Sequence, residues 1–168
     1  MKLIFPTIHH KQAALDYRQE YLNKGESYIH GSSGLIHAKD YEMWLDMITL
    51  AKTTALAGYV TGSVYFAMVN DKIVGTIAIR DYLNNSLLNI GGHIGYGVRP
   101  SERRKGYASQ MLAAALEKCK DANMKKVLVT CDKSNTASAK TIIRNGGVLE
   151  NVFVEDDGNV ILRFWIEL

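Results

Sequence analysis

A basic, glycine-containing segment in the second half of the chain has the composition of an anion-binding site. Arg103, Arg104 and Lys105 stand in a row directly before Gly106. Arg binds phosphate through a planar fork of donors and Lys binds it as a point charge. A glycine lets an anion approach the backbone closely. These residue types predict a site for a phosphate or diphosphate group.

The elements around this segment would place it at the start of a helix. Strand-like residues end at Pro100, which cannot donate to a β-ladder. After the segment, apolar residues recur at the spacing of one buried helix face; they are Ala108, Met111, Leu112, Ala115, Leu116 and Cys119. The first N–H groups of a helix have no partner within it and carry partial positive charge, so a phosphate is stabilised there. The alternative is a solvated basic turn that begins an ordinary helix.

The segment from Arg103 to Ala108 resembles the Arg/Gln-x-x-Gly-x-Gly/Ala pyrophosphate motif of the GNAT superfamily of acetyl-CoA-dependent N-acetyltransferases. Residues 135–147 are similar to a second family pattern, Asn-x-x-Ser/Ala followed by Gly. The resemblance implies acetyl-CoA as co-substrate and no metal. The residues it implies for binding acetyl-CoA are Tyr96, Gly97, Val98, Arg103, Arg104, Lys105, Gly106, Tyr107, Ala108, Ser109, Asn135 and Ser138. Asn and Ser are also helix-capping residues, and the two roles can coexist.

The chain departs from the family at the residue that commonly protonates the departing thiolate. Many members have a Tyr four residues before the Gly of the second pattern, and this chain has Ile142 there. A thiol has a pKa of roughly 8.5, so its thiolate is a tolerable leaving group without a dedicated acid. We assign no general acid from the sequence.

The candidate general base is His93. It lies in Gly92-His93-Ile94-Gly95-Tyr96, which is similar to the Glu-Ile-Gly-Tyr context of relatives that carry an acidic residue at the acceptor side of this strand. A neutral imidazole suits a general base near physiological pH. The alternative is a structural histidine that pairs with backbone.

The acceptor pocket is expected between the first two helices and their connecting loop, as in relatives. The aromatic residues there could form a wall for an amine through cation–π contact; they are Tyr28, His30, Tyr41 and Trp44. The alternatives are that Tyr41 and Trp44 belong to the core and that His30 is an ordinary surface residue.

The composition indicates one globular domain. The chain has 168 residues, of which 47% are hydrophobic and 22% charged, and a formal net charge of +3 that is too small to imply nucleic-acid binding. Two cysteines fit neither a metal cluster nor a disulfide framework. Without a long apolar run or a signal peptide, the expected compartment is the cytoplasm. Residues 1–60 are expected to serve the acceptor and 88–147 to bind acetyl-CoA.

The periodicity predicts a mixed α/β fold with a mostly antiparallel sheet of about seven strands and helices on both faces. This order resembles the GNAT fold, in which the fourth and fifth strands splay apart around the pantetheine arm. Residues 25–39 are rich in Gly and Ser and predict a flexible loop. Strands are predicted at 2–5, 63–69, 72–80, 87–90, 94–98, 126–131, 148–154 and 160–166, and helices at 9–23, from 40, 109–121 and 136–144.

The functional hypothesis is transfer of an acetyl group from acetyl-CoA to a primary amine by direct attack in a ternary complex. The alternative is a non-catalytic acyl-CoA-binding or sensing module on the same scaffold. Nucleic-acid binding is disfavoured, because no aromatic residues alternate with the basic ones around Arg103. The sequence leaves the amine acceptor open, and a homodimer is compatible with it.

Overall fold

The computed structural model describes residues 1–55 and 57–168. Its architecture is the mixed α/β fold that the sequence predicts. The strands are β1 Lys2–Ile4, β2 Gly62–Val69, β3 Lys72–Arg80, β4 Ile94–Val98, β5 Lys126–Asp132, β6 Val148–Val154 and β7 Val160–Glu167. The α-helices are α1 Lys11–Asn23, α2 Tyr41–Leu50, α3 Tyr107–Asp121 and α4 Thr136–Arg144. Short 3₁₀ turns precede α1, α2 and α3.

The strands form two antiparallel ladders. One has the order β1-β2-β3-β4 and the other the order β5-β7-β6. Helices cover both faces: α3 and α4 pack on one apolar cluster, and α1 and α2 on another. Strand β3 is buried between them, because Ile77 belongs to the first cluster and Ala78 to the second. β4 and β5 are the neighbouring edges of the two ladders.

Local sequence signals account for several boundaries. The Asp40 side chain accepts a hydrogen bond of 2.7 Å from the Met43 N–H and caps α2. Asn70 and Asp71 both have a left-handed backbone, with φ of 46° and 61°, which makes the tight turn between β2 and β3. Gly158, with φ of 87°, serves the β6–β7 hairpin in the same way. These turns fix the registers of the two hairpins.

Two predictions about the connecting segments were wrong. The apolar run that predicted a strand at 87–90 forms a π-helical turn, Leu87–Gly91, because the Asn84 side chain accepts from the Leu87 N–H at 2.9 Å and starts a helical turn instead. The Gly- and Ser-rich segment 25–39 is packed rather than loose, since Ile29, Leu35 and Ser32 are buried. Within the described residues, no helix has the length and apolar character needed to cross a membrane.

Candidate functional site

The loop before α3 presents a run of free backbone donors. Arg104 and Gly106 have left-handed backbones, with φ of 66° and 80°, and Gly106 is the N-cap residue of α3 without a side-chain cap. The first helical bond runs from the Gln110 N–H to the Gly106 carbonyl at 3.2 Å. Among the residues that the structure describes, none accepts a hydrogen bond from the six backbone N–H groups of residues 104–109. Such a run at a helix N-terminus has the chemistry of a diphosphate site.

The three basic side chains of this loop differ in what they contact. The Arg103 guanidinium donates to Glu26 at 2.7 Å and to the Val98 carbonyl at 3.2 Å. It therefore points toward the end of β4 and the segment after α1, and not toward the free amides. Lys105 forms an ion pair of 2.8 Å with Glu102. Arg104 is exposed and has no ion pair among the described residues. Arg104 is therefore the side chain most able to add charge to the loop amides.

Strands β4 and β5 are joined at one end only. The His93 N–H donates to the Leu128 carbonyl at 2.7 Å, and the Leu128 N–H donates to His93 Nδ1 at 2.9 Å. Beyond this joint, no backbone hydrogen bond connects Ile94–Val98 with residues 129–132 in the described part of the chain. We call these two unpaired edges the β4–β5 opening.

The register of β4 determines which of its groups face the opening. The Arg80 N–H donates to the His93 carbonyl and the Arg99 N–H donates to the Val74 carbonyl, both at 2.8 Å. Backbone groups of alternate residues point to opposite sides of a strand. Tyr96 and Val98 therefore direct their N–H and carbonyl groups into the opening. The Val98 carbonyl is held by the Tyr21 hydroxyl at 2.7 Å, whereas the Val98 N–H has no partner among the described residues.

The start of α4 lies beside the opening. The Asn135 side chain accepts from the Ser138 N–H at 3.0 Å, so the capping role is present, and its amide NH₂ remains free for a second contact within the described residues. The Ser138 hydroxyl lies 2.9 Å from the Tyr96 hydroxyl. Burial raises the pKa of Tyr96 to about 12, so this hydroxyl keeps its proton at neutral pH. Ile142 is fully buried in the core.

His93 has the environment of a structural histidine. The residue is 7% exposed, and its Nδ1 accepts the Leu128 N–H. Burial, with the Arg80 guanidinium nearby, lowers the pKa of His93 to about 4. In this tautomer Nδ1 is occupied and Nε2 carries the proton, so neither nitrogen is free to accept one. The geometry favours the structural alternative, and the general-base role of His93 stays a prediction without geometric support.

The four predicted acceptor-pocket residues separate into two pairs. Tyr41 and Trp44 are 1% and 2% exposed, and their polar atoms bond to the carbonyls of Thr7 and Ser32. The structure therefore corrects their placement in a pocket wall: they are core residues of the cluster under α2. Tyr28 and His30 remain accessible, with ring centroids 4.8 Å apart.

Residues that the sequence did not single out hold the site together. Tyr17 and Tyr21 of α1 lie with their hydroxyls 3.2 Å apart beneath the end of β4. Glu102 forms ion pairs with Lys72 at 2.6 Å and with Lys105, and these pairs lower the pKa of Glu102 to about 2. The pairs Tyr17–Tyr21 and Glu102–Lys105 are local, but no local signal reveals the contacts of Tyr21 with Val98 and of Glu102 with Lys72, which lie 77 and 30 residues apart.

Concave surface pockets also occur around the β2–β3 turn at Asn70 and Asp71. None of the predicted site residues lines these two pockets. The candidate site residues lie instead along a strand edge and at the starts of two helices.

The free loop amides, the half-open pair of strands and the capped start of α4 have the geometry and the chemistry that suit a diphosphate-containing, extended ligand. The model of the acetyltransferase (GNAT) family matches residues 26–146, and the chain belongs to that family. No curated protein matches the chain significantly in sequence.

Solved structures show the same fold. The microcin self-immunity acetyltransferase MccE, solved with acetyl-CoA and AMP, is similar at a TM-score of 0.70 and 15% identity, over 99% of this chain and 91% of that one. The ribosomal-protein alpha-N-acetyltransferase RimL, solved with coenzyme A, is similar at a TM-score of 0.71 and 16% identity, over 99% of this chain and 93% of that one. A mutant of the spermidine N-acetyltransferase SpeG from Vibrio cholerae is similar at a TM-score of 0.67 and 13% identity, over 99% of this chain and 95% of that one. At these identities the likeness shows the fold alone.

Proposed function

We propose that this protein transfers an acetyl group from acetyl-CoA to a primary amine by direct attack in a ternary complex. The observation that carries this proposal is the combination of the six loop amides at 104–109 with the Tyr96 backbone groups and the Val98 N–H along the β4–β5 opening, none of which has a hydrogen-bond partner among the described residues. The amides and Arg104 would bind the diphosphate. The edge of β4 would bind the pantetheine arm as an added strand would.

Bound acetyl-CoA supplies an activated thioester. The Val98 N–H, which points into the opening, would donate to the thioester oxygen and stabilise the negative charge that develops there during attack. The Asn135 amide and the Ser138 hydroxyl would contact the arm from the other side of the opening. Holding both reactants in place lowers the entropic part of the barrier, so positioning would supply most of the rate.

Two features support the alternative of a non-catalytic acyl-CoA-binding or sensing module. Ile142 is buried where relatives carry a proton donor, and the imidazole of His93 is occupied by Leu128. A sensor would bind acetyl-CoA and release no coenzyme A with any amine.

The test measures acetyl-CoA binding by calorimetry and coenzyme A release over a panel of amines that includes polyamines, amino sugars and peptides with a free N-terminus or lysine. Binding with amine-dependent thiol release supports the transferase. Binding without release from any amine supports the sensor, and absence of binding contradicts both. Within the same proposal we expect the protein to act in the cytoplasm. A homodimer is compatible with the sequence, and size-exclusion chromatography with light scattering measures the oligomeric state.

A further inference from the structure

The loop between α1 and α2 brings a second histidine to the β4–β5 opening. The His30 carbonyl accepts a hydrogen bond of 3.0 Å from the Thr76 hydroxyl, which fixes this residue over the sheet. A Cβ built on Gly97 would lie only 2.8 Å from that carbonyl, so the backbone of His30 rests directly on β4. Gly31, with φ of 72°, rests on Gly95 in the same way.

His30 lies beside the C-terminal half of β4, the strand edge that borders the opening. Its backbone lies over Gly97, the residue is exposed, and its ring centroid is 4.8 Å from that of Tyr28. This is the face of the sheet opposite α3 and α4, where the side chains of Tyr96 and Val98 do not reach.

We propose that His30 is the general base that accepts the proton of the acceptor amine. This inference rests on the proposed acetyl transfer and adds the residue that starts it. The ammonium group gives one proton to His30, and the freed lone pair forms the bond to the acetyl carbon. The carbon–sulfur bond of the thioester breaks, and the second proton of the nitrogen passes to the departing thiolate, directly or through water. Atoms and charges then balance.

The surroundings of His30 suit this role better than those of His93. Partial burial of the ring holds the pKa of His30 below 6.5, while the carboxylates of Asp132 and Glu26 oppose that shift. The imidazole is therefore neutral at physiological pH and able to accept a proton. Glu26 is paired with Arg103 at 2.7 Å, which offsets part of its charge. The Tyr28 ring contacts the imidazole edge-on and is its remaining titratable neighbour on the loop.

The first test compares His30→Gln with the wild type, using an acceptor amine identified from the panel. General-base catalysis contributes roughly 100- to 10,000-fold, so we expect kcat to fall in that range while the acetyl-CoA dissociation constant and the Tm stay unchanged. The acid limb of kcat/KM below pH 6.5 should disappear. The matched control is His9→Gln, at an exposed histidine near the β2–β3 turn. This variant should keep both the wild-type kcat and the acid limb of the kcat/KM pH profile.

The second test uses a variant that should shift the acid limb of the kcat/KM pH profile without abolishing it. Asp132→Asn removes a charge that raises the pKa of His30, and asparagine can still pair with Asn159, so the midpoint of the acid limb should move to lower pH. A His30→Gln variant with kcat within twofold of the wild type, or a limb that Asp132→Asn does not move, would overturn the inference. A wild type that acetylates no amine contradicts the proposed function itself, which separates the two failures.

Discussion

The two ends of β4 differ in how they meet β5, although the strand is only five residues long. At the N-terminal end, backbone and imidazole of His93 close the gap to Leu128. At the C-terminal end, Tyr96 and Val98 have no strand partner on that side within residues 1–55 and 57–168, and they lead into the loop of free amides. A closed joint holds the neighbouring edges in place, so that the open end can bind a ligand without first moving apart.

The largest expected effect on ligand binding concerns the open end. Gly106→Asp should weaken acetyl-CoA binding by roughly 100-fold, because a carboxylate within about 5 Å of a diphosphate repels it by a few kcal/mol. A Cβ at Gly106 meets no atom of the described residues within 4 Å, but the φ of 80° strains any side chain there, so the affinity has to be compared with that of a variant under the same backbone strain. Calorimetric titration measures the affinity.

The control for that variant is Gly106→Asn, which has the same shape, tolerates the left-handed backbone and carries no charge. It should bind acetyl-CoA much more tightly than Gly106→Asp. Equal affinities of the two variants would mean that the diphosphate does not lie at this loop.

The next effect concerns the closed end. The pKa of His93 is about 4 in the folded protein and roughly 6.5 when unfolded. Between these pH values the unfolded chain binds the additional proton, so stability is present above pH 6.5 and is lost as the pH falls toward 4. The loss is on the order of 3 kcal/mol. Urea denaturation of wild type and His93→Gln at several pH values should show this slope in the wild type only.

A third, smaller effect separates the two roles of Asn135 beside the opening. Asn135→Ala removes the cap of α4 and should lower the free energy of unfolding by about 1 kcal/mol. Asn135→Asp keeps the cap but removes the amide donor, so it should preserve stability and weaken acetyl-CoA binding. If Asn135→Asp binds as well as the wild type, the residue is a cap alone.

The smallest effect concerns Glu102, which anchors the loop at the open end through Lys72 and Lys105. Its pKa is about 2, below the ordinary 4.5, so its contribution is present above pH 4.5 and is lost as the pH falls toward 2. Glu102→Gln should flatten the acid dependence of stability in that window by less than His93→Gln does in its own, since both lysines are half-exposed. An unchanged slope would show that the ion pairs contribute nothing.

Local signals allowed much of the fold to be predicted. The turn residues Asn70 and Asp71 define the β2–β3 hairpin, and the apolar spacing of α3 matches its buried face. The segments that failed depend on distant contacts. The Leu87–Gly91 turn is set by a side-chain bond that competes with a strand-like composition, and the segment 25–39 is ordered by packing on a sheet that lies far away in sequence.

The site shows the same division. The motif residues of the loop before α3 were recognisable because their spacing is local. The partners that give each side chain its role were not, since Leu128 lies 35 residues from His93 and Glu26 lies 77 from Arg103. Sequence position alone could not separate His93, whose ring is bonded to backbone, from His30, which is exposed beside β4.

The contact of Gly31 with Gly95 and of His30 with Gly97 places main chain against main chain. A Cβ at Gly31 or at Gly97 would displace the loop or the strand, so these two positions accept no larger residue. Sequence variation on this side of the sheet is therefore left to side chains that project beyond the contact, such as the exposed Tyr28.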